Sequence, residues 1–252
     1  MTSTTAPAAR VRRAGAAALW VAALIFCATA IAAEMGPGEA ASRRLAERAF
    51  TDKPIDAFRK LPDLPFYEIW IDRTLVYTDL DGKVLIMGNM LEAKTLTNLR
   101  QTRMNELLAI PFKDLPLEGA IKTVQGRGRN KLVVFADPNC QYCKRFEAEL
   151  KTVKDVTIYT VMYPVLGPDS LDKARAILCA PKPAIAWHAW MDGGIAPPAP
   201  AENCKPAFDS ILAYGRKNDI AVTPTTFFES GKRLAGISPA AAVNEGFTAP
   251  RR

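Results

Sequence analysis

The chain has 252 residues, of which 49% are hydrophobic and 23% charged, with a formal net charge of +7. It shows no sequence repeat and no long low-complexity tract, which excludes a repeat array and leaves one large or two small domains. The basic residues are scattered. Their short cluster at Arg127, Arg129 and Lys131 comes without a nucleic-acid motif, so it reads as solvated loop charge and no nucleic-acid partner is expected.

The first 33 residues have the form of a secretory signal. Arg10, Arg12 and Arg13 make a basic start, Ala14 to Ala28 is almost wholly apolar, and Ala30-Ile31-Ala32 offers an A-x-A cleavage site, so the cut is expected near Ala32 or Ala33. The alternative is an uncleaved anchor, because the apolar run is nearly long enough to span a bilayer. Either form delivers the remaining chain outside the cytoplasm. Removing the three signal arginines leaves a net charge of +4.

Residues 34–95 read as a small antiparallel domain. Glu34 to Arg48 is Ala-rich and charged, a short helix or a frayed lead-in. Phe66 to Asp72 is rich in aromatic and β-branched residues, as strands are. Leu75-Val76-Tyr77 and Lys83 to Met87 flank Asp81-Gly82, a pair whose tolerance of positive φ suits a hairpin turn. A sheet of about three strands buries little surface and needs a partner, either another domain or another copy of itself.

A helix is expected over Thr95 to Ile110, with Leu96, Leu99, Leu107 and Ile110 at helical spacing and Pro111 as its stop. Its narrow apolar stripe fits either a connecting helix, over 96–114, or packing inside one domain.

From Leu115 to the C-terminus the pattern is β/α. Lys131 to Phe135 is an unbroken apolar strand, suited to burial on both faces. Tyr142 to Val153 follows as helix and Val156 to Met162 as strand. Three helical stretches, Ser170 to Cys179, Ile185 to Asp192 and Pro206 to Asn218, are inserted before a hairpin of Thr225 to Glu229 and Lys232 to Gly236 around Ser230-Gly231. Pro239 to Gly246 closes the chain as helix.

Between that strand and its helix stands Cys140-Gln141-Tyr142-Cys143. A cysteine at a helix N-terminus faces unpaired backbone N–H groups and the positive end of the dipole, which favour the thiolate, the reactive species in exchange. Cys143, one turn on, is within reach of a mixed disulfide at Cys140. Zinc is the competing use of this spacing, but it needs two further ligands at short range. The other exported cysteines are distant and His188 is the only histidine, so no metal or cofactor is expected. Of five cysteines, Cys27 lies in the signal, which leaves four and three possible pairings. The Cys140/Cys143 pair is local, so Cys179 with Cys204 is the natural second bond, worth about 3 kcal/mol in the chain-entropy account. Two free buried thiols are the alternative.

A strand, a CxxC at a helix start, a helical insertion and then Thr223-Pro224 before a hairpin follow the thioredoxin-fold order. From residues alone, that proline is equally a cis proline facing the CxxC or a trans proline opening a strand. The chain from about Phe66 to Phe247 resembles the bacterial disulfide isomerase family of DsbC and its relative DsbG. The resemblance rests on Tyr77-Thr78-Asp79-Leu80-Asp81-Gly82-Lys83 with Met87-Gly88-Asn89-Met90, the helix from Asn98 to Ile110, and Phe135-Ala136-Asp137-Pro138-Asn139 leading into the CxxC. It extends to Ile177-Leu178-Cys179-Ala180, Asn203-Cys204 and Val222-Thr223-Pro224-Thr225.

The resemblance implies an α+β protein: a small N-terminal antiparallel-sheet dimerisation domain, a linker helix, and a C-terminal thioredoxin-like domain (115–252) with a helical insertion. It implies a periplasmic homodimer that acts on misfolded or mis-oxidised exported proteins and is kept reduced by a DsbD-like membrane thiol reductase. Cys140 would be the nucleophile and Cys143 the resolving thiol, with Thr223, Pro224 and Tyr142 against the substrate and Cys179–Cys204 as a structural disulfide. The proline would be cis. Gln141 departs from the residue that family members carry before the tyrosine. With no histidine between the cysteines, a moderate redox poise is expected.

Competing functions are a DsbG-like reductase of oxidised single thiols and a chaperone whose CxxC is dispensable. His188, in Trp187-His188-Ala189-Trp190, reads as structural rather than catalytic. Asp137 reads as a turn former rather than a modulator of Cys140.

Overall fold

The computed structural model describes residues 1–2 and 36–248, so all but the first two residues of the predicted signal, with its cleavage site, lie outside the described residues. The chain divides into two compact units, Met1–Met87 and Gly88–Arg252.

In the first unit, helix α1 (Pro37–Ala49) lies on a four-stranded sheet of β1 (Ile55–Lys60), β2 (Phe66–Ile71), β3 (Thr74–Asp79) and β4 (Leu85–Ile86), antiparallel in chain order. Pro37 in the first helical turn and Glu39 paired with Arg43 start α1 where the sequence left helix and lead-in open. Ala46 packs on Ile69, Ile71 and Val76. The Asp81-Gly82 turn falls as expected. Gly82 has φ +65°, and a Cβ there would sit 2.6 Å from the Ala41 carbonyl carbon, so only glycine lets this turn meet α1. β1 was not foreseen. It is an exposed edge strand with a register shift between Ile55 and Ala57, so it lacks a clean two-residue alternation.

The second unit begins with α2 (Leu99–Leu107), which lies against β9 (Arg233–Ala235). It is shorter than the predicted 95–110. The Asn98 side chain accepts from the Gln101 N–H at 2.9 Å and caps the start, and Leu96 has φ +57° and stands exposed before it. A five-stranded sheet follows in the order β5 (Ile121–Gln125), β7 (Val156–Met162), β6 (Asn130–Ala136), β8 (Thr225–Phe228), β9, with only β6 and β7 parallel.

β6 is buried on both faces, as its apolar run implied. Leu132, Val134 and Ala136 join a core with α3 (Gln141–Leu150), α4 (Pro168–Leu178), α5 (Pro183–Gly193) and α7 (Ala240–Thr248). Val133 and Phe135 join another core with α6 (Phe208–Lys217). On that side Gly215 lets α6 close on the sheet, because a Cβ there would lie 2.1 Å from the Tyr163 hydroxyl. β5 was also missed: it is an edge strand whose Val124 faces solvent, which breaks the expected pattern. The chain has the α+β class expected, an antiparallel sheet followed by a thioredoxin-like domain with a helical insertion. No helix among the described residues is long and apolar enough to cross a membrane.

Candidate active site

β6 ends at Ala136, and after three intervening residues Cys140 takes the N-cap position of α3 with extended backbone angles (φ −74°, ψ 114°). Its Sγ accepts from the Cys143 N–H at 3.3 Å, so a sulfur fills the place that a capping oxygen normally takes. The Cys140 Sγ also lies 3.2 Å from the Thr223 carbonyl oxygen, to which the thiol donates. The Thr223–Pro224 peptide is cis. Two segments more than 80 residues apart in sequence therefore meet at one sulfur.

Both cysteines are free and nearly covered, with 5% and 2% of their surface exposed. Their environments are nevertheless opposite. The Cys140 thiol is pushed down from 9.0 to about 6, first by the hydrogen bond of the Cys143 side chain. The Thr223 side chain and the N–H groups of Cys143 and Tyr142 add to this, while burial opposes it. Cys143 is pushed far up, first by burial and then by the charge and hydrogen bond of Cys140. One sulfur is thus poised as thiolate and the other held as thiol.

Asp137 explains the shape of the approach loop. It is fully buried and its carboxylate accepts from four donors: the N–H groups of Asn139 (2.7 Å), Val165 (2.7 Å) and Leu166 (3.0 Å), and the Ser170 hydroxyl (2.8 Å). The bond to Asn139 is the turn role that the sequence suggested. The bonds to Val165, Leu166 and Ser170 come from the segment after β7 and the first turn of α4 and had no sequence signal. Tyr142 beside Cys143, Val222 beside Thr223, and Val165 and Leu166 bound through their N–H groups to Asp137 are exposed apolar residues on the segments that meet at the dithiol.

Glu147 was also not foreseen. It is buried on α3 one turn past Cys143, accepts from the Trp187 indole N–H at 2.9 Å, and is pushed up to about 7, chiefly by burial. His188 Nε2 lies 3.3 Å from the Thr123 hydroxyl and Nδ1 lies 3.6 Å from Glu147, beyond hydrogen-bond range; burial pushes its pKa down. Cys179 and Cys204 are joined, with Cα atoms 6.0 Å apart, and their bond closes the loop that contains α5. Arg129 and Lys131 of the basic cluster are ion-paired with Asp155 and Glu229.

The chain is similar to known proteins over both of its units. Residues 117–247 match the thioredoxin-like domain family, and residues 33–101 match the disulfide bond isomerase protein N-terminal domain. A probable thiol:disulfide interchange protein DsbC of Bordetella avium is 39% identical over 208 residues, 82% of this chain and 74% of that protein. The chain belongs to the DsbC family of thiol:disulfide interchange proteins. The corresponding Bordetella pertussis protein is 38% identical over 201 residues, 80% of this chain and 71% of that protein. DsbG of Escherichia coli is more distant, 31% identical over 127 residues, 47% of this chain and 51% of that protein. Among solved structures, a disulfide interchange protein from Neisseria gonorrhoeae is 37% identical, with a TM-score of 0.49. The match covers 52% of this chain and 94% of that one.

Proposed function

We propose that this DsbC-family protein is a periplasmic disulfide isomerase that rearranges non-native disulfides in exported proteins. The placement of two free, buried sulfurs at the N-terminus of α3, with Cys140 Sγ on the Cys143 N–H and beside the cis Thr223–Pro224 peptide, is the observation that carries the reading. The Cys140 thiolate attacks one sulfur of a client disulfide. A bond forms between Cys140 and that sulfur, the client S–S bond breaks, and the other client sulfur leaves as thiolate. A third client thiolate then attacks the mixed disulfide and expels Cys140 unchanged, so isomerisation needs no net electrons.

When no client thiol is in reach, Cys143 attacks Cys140, the client leaves reduced, and the enzyme is left oxidised. A membrane thiol reductase then restores the dithiol. Thr223-Pro224 and Tyr142 form the surface that receives the client backbone, next to the attacking sulfur. Residues 34–95 supply dimerisation, 96–114 the linker and 115–252 the catalysis, with export directed by residues 1–33. The exposed apolar residues Tyr142, Val165, Leu166 and Val222 suit unfolded segments, which expose apolar side chains.

Refolding of a scrambled multi-disulfide protein tests the reading. The wild-type protein should restore native pairing, and Cys140→Ser should not. Cys143→Ser should accumulate a client mixed disulfide through Cys140, visible on non-reducing gels. Rescue by Cys140→Ser equal to wild type would replace the reading with a chaperone in which the CxxC is dispensable.

A further inference from the structure

Helix α5 is enclosed by the Cys179–Cys204 bond and carries two tryptophans three residues apart whose indole N–H groups reach toward opposite ends of the dithiol segment. Trp187, fully buried, donates to Glu147, beyond Cys143. Trp190 donates at 2.6 Å to the carbonyl oxygen of Pro138, two residues before Cys140.

The second contact fixes a particular peptide unit. The N–H of the Pro138–Asn139 peptide is bound by the Asp137 carboxylate at 2.7 Å, and its C=O is bound by Trp190. With both ends held, the plane of that peptide has no freedom to turn. The next residue is Cys140, whose own N–H is held by the Asp137 carbonyl at 3.1 Å. Trp190 is itself steadied. The Lys144 and Lys173 ammonium groups lie 4.5 and 5.0 Å from the centre of its ring. Lys173 pairs with Asp169, and Asp169 accepts from the Asn139 side chain at 2.7 Å. The contacts form a closed circuit from Trp190 through Lys173, Asp169 and Asn139 back to the loop.

We propose that Trp190 is a positioning residue for the exchange site: its indole N–H locks the Pro138 carbonyl and so keeps the approach loop in the shape that sets Cys140 Sγ on the N-terminus of α3. Without that bond the peptide unit loses one of its two anchors, and the alignment of Cys140 Sγ with the Cys143 N–H relaxes. Thiolate stabilisation depends on that alignment, so it weakens. The disulfide form carries no thiolate and is unaffected, so the reduced form alone loses stability. The inference deepens the exchange reading above and rests on it.

Trp190→Phe removes the N–H while keeping an aromatic ring between the two lysines. Trp187→Phe is the control, because it removes the other indole N–H of the same helix and lies deeper in the core. Two quantities are read on each full-length protein: the thiolate absorbance near 240 nm against pH, and the equilibrium constant with glutathione. Trp190→Phe should raise the proton affinity of Cys140 at least threefold. It should also shift the glutathione equilibrium threefold toward the disulfide, about 15 mV. Trp187→Phe should lower thermal stability yet leave both readings at their wild-type values. If Trp190→Phe matches wild type, or if both variants shift alike, Trp190 has no positioning role. If the wild-type thiol itself titrates as an ordinary cysteine, the exchange reading falls and this inference falls with it.

Discussion

Lowering the pH should convert the reduced protein from a stabilised thiolate to an ordinary dithiol, with a midpoint near 6. The Cys140 thiol drops from 9.0 to about 6 in the folded chain. A depressed acid contributes stability that is fully present above the unfolded value, and that contribution is lost as pH falls through the folded value. At pH 7 only part of it is realised. The thiolate-to-thiol ratio is about ten to one rather than about one to a hundred, so the reduced form gains about tenfold, or about 1.4 kcal/mol and about 30 mV. Solvent screening trims this figure, because the sulfur lies just beneath the surface. Cys143 is pushed the other way and stays protonated, so it adds no second step. Reduction of the disulfide therefore takes up two protons below pH 6 and one above it. The slope of potential against pH should fall from about 59 to about 30 mV per pH unit at that point. Equilibration with glutathione from pH 5 to 8.5 measures the slope, and absorbance near 240 nm reports the thiolate directly. A single steep slope through pH 8, with absorbance rising only above it, would refute the argument. So would a transition near 6 that survives in Cys140→Ser.

Asp137→Ala should destabilise the protein by about 3 kcal/mol or more in urea melts, because four donors lose their acceptor in a fully buried place. Asp137→Asn, which keeps one oxygen and the shape, should recover part of that loss; equal stability of all three proteins would show that the loops hold without the carboxylate. Glu147 is shifted in the opposite sense to Cys140. Its folded pKa is raised to about 7 by burial, so folding favours the protonated form and stability should fall as pH rises from about 4.5 to 7, by at most about 3 kcal/mol. Lys151, Asp192 and His188 surround it and modulate the midpoint. Glu147→Gln should flatten that part of the stability profile, and an unchanged slope between pH 5 and 8 would remove Glu147 as its source.

The sequence was most readable where one physical demand governs a segment. β6 is covered on both faces, so its apolar run had a single meaning, and β7 fell over the predicted residues 156–162. The Asp81-Gly82 turn was legible because its backbone requires positive φ. The edge strands β1 and β5 were not legible, because half of each faces solvent and their composition obeys no strict period. α2 was drawn too long because Leu96 continues the helical spacing, although Asn98 makes the better cap and fixes the start there. At the site, the dithiol could be read from local spacing, and Thr223-Pro224 only through the resemblance to the thioredoxin-fold order. The long-range bonds of Asp137, Glu147 and Trp190 could not, since each joins residues 28 to 52 positions apart and depends on how the helical insertion folds back.

The asymmetry between the two sulfurs bears on which outcome a mixed disulfide favours. Escape through Cys143 requires that thiol to lose its proton in a setting where burial and the neighbouring charge both oppose it. Once Cys140 is bonded to a client its negative charge is gone, and with it one of the two obstacles; burial remains. Resolution by Cys143 is therefore permitted but slowed. A client thiol arriving from solvent loses its proton outside the protein, and it attacks as thiolate at a rate set by its own pKa. A slowed internal escape would give the client time to exchange one pairing for another before it is released reduced. In the proposed exchange reaction, the burial of Cys143 would favour rearrangement over net reduction, while Cys143 would still free an enzyme held by a client that offers no second thiol.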